Sequence, residues 1–313
     1  MKVIRRLSDV NINDDTGVAL GNFDGVHIGH QTLLVNLVET CRLKNLKSVV
    51  YTFSNHPRAF TSENGAPKRI MNLNKKISTL GELGIDYVIL VTFDEFQMKL
   101  KAESFVRDIL KNTLKMKSCI VGFNYKFGYK AQGDIHLLRT LSKDYDYELN
   151  EIDSIEIQRQ TVSSTNIRSL IRDGNIQRAN LFLGKKYSIN GQVIEGKKVG
   201  RKMGVPTANI KLEKNMLTPS PGVYLTKVNI DGRLYDSITN VGYNPTFSQE
   251  EINIETHIMD FREDIYGKNI EVHFIDRIRE EKKFPSVTEL TIQLKKDIAL
   301  AKNFFEKRQF TIW

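Results

Sequence analysis

The feature that most limits the fold of this 313-residue chain is a change of rhythm near Gly184. Before it, short apolar runs alternate with amphipathic stretches. Residues 18–23, 48–53, 87–93 and 118–121 read as strands, with residues 29–44, 72–83, 102–114 and 134–144 as helices between them. In the first helix Leu33, Leu34, Leu37, Val38 and Cys41 form one apolar face. Strands separated by helices predict parallel βαβ units in a doubly wound α/β sheet, with ligands at the carboxyl ends of the strands. Two short helices, 165–172 and 176–183, follow, split by Asp173-Gly174. After Gly184 the apolar residues recur at every second position over 187–195, 207–212, 222–230, 234–241, 252–261 and 269–275, between Gly and Pro turns. This pattern predicts a small antiparallel β-barrel or sandwich. A helix over 286–305 closes it, with Val287, Leu290, Leu294, Ile298 and Ala301 as its stripe. The chain therefore divides into two domains, 1–184 and 185–313, each long enough for its own core.

The formal charge of +9 asks for a polyanionic partner: nucleic acid, a membrane surface or nucleotide phosphates. The Lys and Arg residues are spread out, with only short clusters at Lys185-Lys186 and Lys197-Lys198, and no RNA-binding aromatic motif accompanies them. No apolar run reaches the roughly 18 residues of a membrane helix, and the opening MKVIRRLSDVNINDD has no apolar stretch behind its arginines. Neither nucleic acid nor membrane is the expected partner. Cys41 and Cys119 lack metal spacing and read as buried, reduced thiols of a cytoplasmic protein.

The first strand runs into GNFDGVHIGH, residues 21–30. Gly21, Gly25 and Gly29 let the backbone turn tightly and approach a ligand. The turn opens a helix whose N–H groups and dipole favour phosphate. Gly21, Asn22, Phe23, Asp24, Gly25 and Gly29 form the candidate ATP surface, where His27 and His30 stabilise charge developing at the α-phosphorus. The H-x-G-H pattern resembles the signature of the nucleotidylyltransferase superfamily. In VSSTNIR, residues 162–168, a Ser caps a helix and Arg168 lies one turn beyond Ser164, a second anion site. It resembles the second ATP-phosphate motif of that superfamily, which implicates Ser164, Thr165 and Arg168. Lys115-Met116-Lys117-Ser118 superficially imitates a synthetase lysine loop, but lies far upstream of VSSTNIR and is set aside.

In the second half, GRKMGVPTANI (residues 200–210) joins a basic glycine loop to a strand. Thr207 and Asn209, two apart, point to one side and offer hard oxygens suited to Mg²⁺. Gly196, Lys197, Gly200 and Lys202 are placed to wrap ATP phosphates. Along INIETHIMDF, Glu255 lies opposite Ile252, Ile254 and Ile258, where it can serve as general base toward a primary alcohol.

Taken in order, GNFDGVHIGH, TFSNHPRAF (52–60), VGFNYKFG (121–128) and VSSTNIR resemble the FMN adenylyltransferase domain of the bacterial bifunctional riboflavin kinase/FMN adenylyltransferases (FAD synthetases). GRKMGVPTANI, PGVYLTKV, NVGYNPTF, the Glu255 strand and RIREEKKFPSVTEL resemble the riboflavin kinase domain of the same family. The resemblance implies a flavin site around His56, Arg58, Asn124, Tyr125 and Phe127, with Arg279 near the flavin of the kinase. It implies Mg²⁺–ATP at Thr207 and Asn209, Glu255 as catalytic base, and riboflavin, FMN and ATP as substrates. Ser54-Asn55 stands where the family often has an acidic residue and proline. The rival reading, a nicotinamide mononucleotide or phosphopantetheine adenylyltransferase with an unrelated appendage, leaves the Thr207 and Glu255 strands without a task.

Overall fold

The structure is a computed structural model that describes residues 1–62, 65–196, 200, 203–243 and 252–308. Its internal contacts divide into two compact units, Met1–Arg69 with Leu73–Ser164, and Ile70–Asn72 with Thr165–Trp313.

The first unit is built on a six-stranded sheet of β1 (Lys2–Ile4), β2 (Thr16–Leu20), β3 (Lys47–Phe53), β4 (Tyr87–Val91), β5 (Met116–Gly122) and β6 (Glu148–Ile152). The spatial order is β1-β4-β3-β2-β5-β6, and every neighbouring pair is parallel. Central β2 is buried along its whole length, which explains its unbroken apolar run: helices cover both faces of such a sheet. The strand order reverses between β2 and β5, so the crevice at their carboxyl ends is where a doubly wound sheet takes its ligand. The helix α1 (Ile28–Lys44) follows β2 and buries Leu33, Leu34, Leu37 and Cys41. Gly17 is required beneath it, because a Cβ there would meet the Cys41 sulfur. Burial pushes the Cys41 thiol up to about 11 and the Cys119 thiol up to about 12, and both are free cysteines.

Further along lie α2 (Arg58–Thr61), α3 (Leu73–Glu82), α4 (Glu95–Lys99), α5 (Ala102–Ser104) and α6 (Ile135–Asp144). The expected helix over 102–114 is α-helical only in α5; Phe105–Thr113 is wound more widely, as a π-helix. It buries Phe105, Val106, Ile109 and Leu110 against the sheet side of the core. The edge strands β1 and β6, too short or too polar to stand out in the sequence, complete the sheet. A two-residue hairpin of β7 (Glu156–Ile157) and β8 (Gln160–Thr161) leads to α7 (Ser164–Arg172).

The second unit holds α8 (Ile176–Leu183) and a closed barrel of β9 (Tyr187–Ile194), β10 (Ala208–Leu212), β11 (Gly222–Ile230), β12 (Arg233–Tyr243), β13 (Ile252–Ile258) and β14 (Asn269–Glu280). The circular order is β10-β13-β12-β11-β14-β9, with antiparallel neighbours throughout. Closure leaves no unpaired sheet edge. On one face of β11–β13 the fully buried hydroxyls of Thr226, Ser237, Thr239 and Thr256 bond to one another at 2.8–2.9 Å, so these polar groups are satisfied within the core. The last described helix, α9 (Val287–Arg308), packs Ala301 and Phe305 on Val223, Leu225, Ile238 and Ile275. Helix α8 is fastened to the barrel by Asn180, whose amide donates to the Phe274 carbonyl at 2.9 Å and accepts from the Tyr187 N–H at 2.6 Å.

Candidate active sites

At the end of β2 the chain makes a turn that few side chains tolerate. Phe23 (φ 49°) and Val26 (φ 40°) both lie in the left-handed region, with Gly25 at φ 80° between them. A β-branched residue there is strained and persists only where its surroundings hold it. Three carbonyls of the turn are held by side chains from separate elements. The Asn22 oxygen accepts from Thr52 (3.2 Å) and Lys76 (3.2 Å), the Asp24 oxygen from Ser164 (3.1 Å), and the Val26 oxygen from Gln31 (2.8 Å). The Ser164 bond ties the VSSTNIR segment to the glycine turn, the juxtaposition the two sequence motifs imply.

His27 is the N-cap of α1: its Nδ1 accepts the His30 N–H at 3.3 Å. That bond leaves the other ring nitrogen, Nε2, to carry the proton and donate. The two imidazoles stack with centroids 3.6 Å apart, and the buried Phe23 ring meets His30 edge-on at 5.2 Å. The pair thus stands at the positive end of a helix dipole, in a buried turn, where donors to phosphate oxygens are preorganised. One turn along α7 from Ser164, Arg168 is buried, while Thr165 is exposed.

The HPR segment and the aromatic loop lie at the same carboxyl edge, after β3 and β5 respectively. Asn55 pairs its amide with both backbone groups of Phe93 (2.8 and 2.7 Å) and so fixes the segment. His56 Nδ1 accepts the Arg58 N–H at 3.1 Å, just before α2. Phe60 is half exposed and tilts toward Phe93 at 6.1 Å. In the loop after β5, Asn124 is exposed and Tyr125 half-buried, whereas the Phe127 ring is sunk between Phe105 and Tyr125 (5.7 and 5.6 Å). Phe127 is the loop's anchor: its backbone pairs with Gly133, where a Cβ would strike the Phe127 ring. Lys115 and Lys117 precede or begin β5, at its amino end, bonded to the Asn13 carbonyl and to Asp146; they stand away from the carboxyl edge.

In the barrel, Asn209 of β10 and Asn240 of β12 are the direct cross-strand partners of Glu255 on β13. Such partners share a face. Asn253, two residues before Glu255, donates to its Oε1 at 2.7 Å and to the Asn209 Oδ1 at 3.3 Å. Gly196 lies against Asn209 so closely that a Cβ would fall 2.6 Å from its amide carbon; at Gly200 a Cβ would meet the Val205 carbonyl, with the Thr207 hydroxyl 3.4 Å away. The structure therefore brings Gly196, Asn209 and Glu255 together, adds Asn253 and Asn240, and sets Gly200 against Thr207 just before β10. Lys202, with Lys197 and Lys198, lies outside the described residues. Arg279 forms a bidentate ion pair with buried Asp297 of α9 (2.8–3.2 Å), and its guanidinium lies over Phe284 at 5.8 Å. In this state it clamps α9 to β14.

Sequence reasoning passed over Asn253 and Lys76. Asn253 had a signal, since period two puts it on the face of Glu255. Lys76 sits in a helix of polar aspect, yet its stripe-mates Thr79 and Leu80 are buried with it.

The FAD synthetase family matches residues 9–166, and the riboflavin kinase family matches residues 183–305. The chain is 38% identical over 307 residues to a bifunctional riboflavin kinase/FMN adenylyltransferase of Haemophilus influenzae, covering 97% of this chain and 99% of the relative. It is 37% identical to the enzyme of that name from Buchnera aphidicola, covering 97% and 98%. A solved structure described as a macrolide-efflux protein from Streptococcus pneumoniae superposes with a TM-score of 0.88 at 34% identity, covering 96% of this chain and 98% of that one. Among the described residues no helix is long and apolar enough to cross a membrane. The chain belongs to the bifunctional riboflavin kinase/FMN adenylyltransferase family.

Proposed function

We infer that the chain converts riboflavin to FMN at the barrel and FMN to FAD at the parallel sheet, each with ATP as co-substrate. The observation that supports the reading is the cross-strand pair Asn209–Glu255, a carboxylate opposite an amide oxygen, in a chain that also carries the His27–His30 turn. In the first reaction Glu255 takes the proton of the ribityl 5′-hydroxyl as its oxygen attacks the γ-phosphorus of ATP, and ADP leaves. Asn253 holds the Glu255 carboxylate in orientation. Gly196, Gly200 and Lys202 are assigned to the ATP phosphates.

The residues suit Mg²⁺: Thr207 and Asn209 offer hydroxyl and amide oxygens, the hard neutral ligands that leave room for phosphate oxygens and water. When bound, the ion neutralises charge on the phosphates. In the second reaction a phosphate oxygen of FMN attacks the α-phosphorus of ATP and pyrophosphate leaves. The attacking oxygen is already ionised, so the protein's work is to hold and neutralise: His27, His30 and Arg168 donate to the phosphates, with the turn from Gly21 to Gly29, Ser164 and Thr165 around them. We assign the flavin to His56, Arg58, Asn124 and Tyr125, with Phe127 supporting the loop from beneath, and Arg279 to the rim of the kinase flavin site. We assign both reactions to the cytoplasm, where ATP is supplied.

The test is a pair of half-reactions. Riboflavin with Mg²⁺–ATP should yield FMN and ADP, and supplied FMN should yield FAD and pyrophosphate. Failure of either half removes that activity from the reading.

A further inference from the structure

Lys76 is 7% exposed, yet it carries an ammonium group. The group is fully occupied: its Nζ bonds to the Asn22 carbonyl (3.2 Å), the Thr52 hydroxyl (3.3 Å) and the Phe53 carbonyl (2.9 Å). An ammonium has three protons, and three acceptors receive them. Two acceptors lie at the end of β3 and one in the turn after β2, so Lys76 joins two strand ends beside the switch point. The peptide it holds leads directly into Phe23, whose left-handed backbone and buried ring set the edge contact with His30.

We propose that Lys76 is a positioning residue for adenylyl transfer: by holding the Asn22 carbonyl it fixes Phe23, and through Phe23 the His27–His30 pair. The proposal rests on the FMN adenylyltransferase reading of this site. It follows that Lys76 touches neither ATP nor FMN and acts on turnover more than on binding. Burial pushes its pKa down to about 8, opposed by Asp24 of the turn and reinforced by Arg69 before α3; β3 presents only the neutral Thr52 hydroxyl and Phe53 carbonyl. Above that pH the amine keeps two protons for three acceptors, and the charge-assisted hold on the turn is lost.

The experiment measures kcat and KM for FMN adenylylation by the full chain from about pH 6.5 to about pH 9.5, for wild type and Lys76→Arg, whose guanidinium stays charged. Wild-type kcat should fall by at least ~5-fold through an alkaline limb near pH 8, with KM for ATP changing by less than ~2-fold; Lys76→Arg should show no such limb. Riboflavin phosphorylation on the same samples should follow one profile in both proteins. A wild-type kcat that stays flat to the highest pH, or an identical limb in Lys76→Arg, overturns the proposal. Should Lys76→Arg fail to fold, the limb must coincide with the titration of the Lys76 amine seen by NMR in the wild type, and a mismatch overturns it equally. Wild type that makes no FAD from FMN at any pH overturns the underlying reading, whereas FAD formation without the limb overturns this inference alone.

Discussion

Asn253 donates a 2.7 Å hydrogen bond to the Glu255 carboxylate and also reaches the amide oxygen of Asn209. One side chain thereby links the proposed base to the proposed Mg²⁺–ATP ligand. Replacing it in Asn253→Ala should lower kcat for FMN formation by about 10- to 100-fold, the range for a hydrogen bond to a charged group. FMN adenylylation should be unchanged. Comparing the two half-reactions on one preparation checks this.

Glu255→Gln keeps the size of the side chain and its place opposite Asn209 and Asn240. If Glu255 takes the proton of the attacking alcohol, riboflavin phosphorylation should drop by about 10²–10⁴-fold while FAD formation from supplied FMN continues. Phosphorylation within a few-fold of wild type would return Glu255 to an ordinary strand face.

His30→Ala removes one member of the stacked pair at the head of α1. FAD formation from FMN should fall by about 10²–10³-fold, the usual effect of losing one preorganised donor, with riboflavin phosphorylation intact. Stopped-time chromatography of both products distinguishes the outcomes.

Lys76 also gives a pH dependence of stability with a definite sign. Folded, it releases its proton near about 8; unfolded, near 10.5. Between these values the unfolded chain binds more protons, so folding becomes more favourable as pH rises. Relative to Lys76→Met, wild-type stability should therefore rise between pH 8 and 10.5, by roughly 3 kcal/mol in all, as read from denaturant melts of both proteins. A difference that is flat or falls with pH would contradict the burial of the charged amine.

Where the second unit begins is a matter of Asn180. The change of rhythm puts a boundary at Gly184, and the contacts within the structure put it between Ser164 and Thr165. Asn180 satisfies a buried carbonyl and a buried N–H of the barrel, so a fragment starting at Lys185 leaves both unpaired, at about 1–3 kcal/mol each. We expect a fragment from Thr165 to melt cooperatively and to phosphorylate riboflavin, and one from Lys185 to melt at lower temperature. Equal melts would support the boundary at Gly184.

The strand–turn–helix at Gly21–His30 was legible because glycines, histidines and the apolar rhythm agree there, and the same agreement made the six barrel strands legible. What escaped the sequence has a common physical cause. Lys76 and Asn180 are polar residues whose partners are mostly backbone groups brought close only by the fold, and a backbone partner leaves no mark on the sequence. Asn124, Tyr125 and Phe127 read alike in sequence as members of one loop, yet burial separates Phe127 from Asn124 and Tyr125. Arg279 lies beyond the 269–275 strand that the sequence predicts; that β14 runs on to Glu280, and that Arg279 grips Asp297, 18 positions away, left no mark there.

The most direct test of the two-reaction account follows phosphorus. The full chain is given riboflavin, Mg²⁺ and ATP labelled at either the α- or the γ-phosphorus, and the flavins are separated by chromatography over time. The account predicts that γ-label enters FMN first, and that FAD then carries γ-label in the phosphate it inherits from FMN and α-label in the phosphate it gains with AMP. FAD with only one of the two labels, or FMN that never forms from riboflavin, would contradict it.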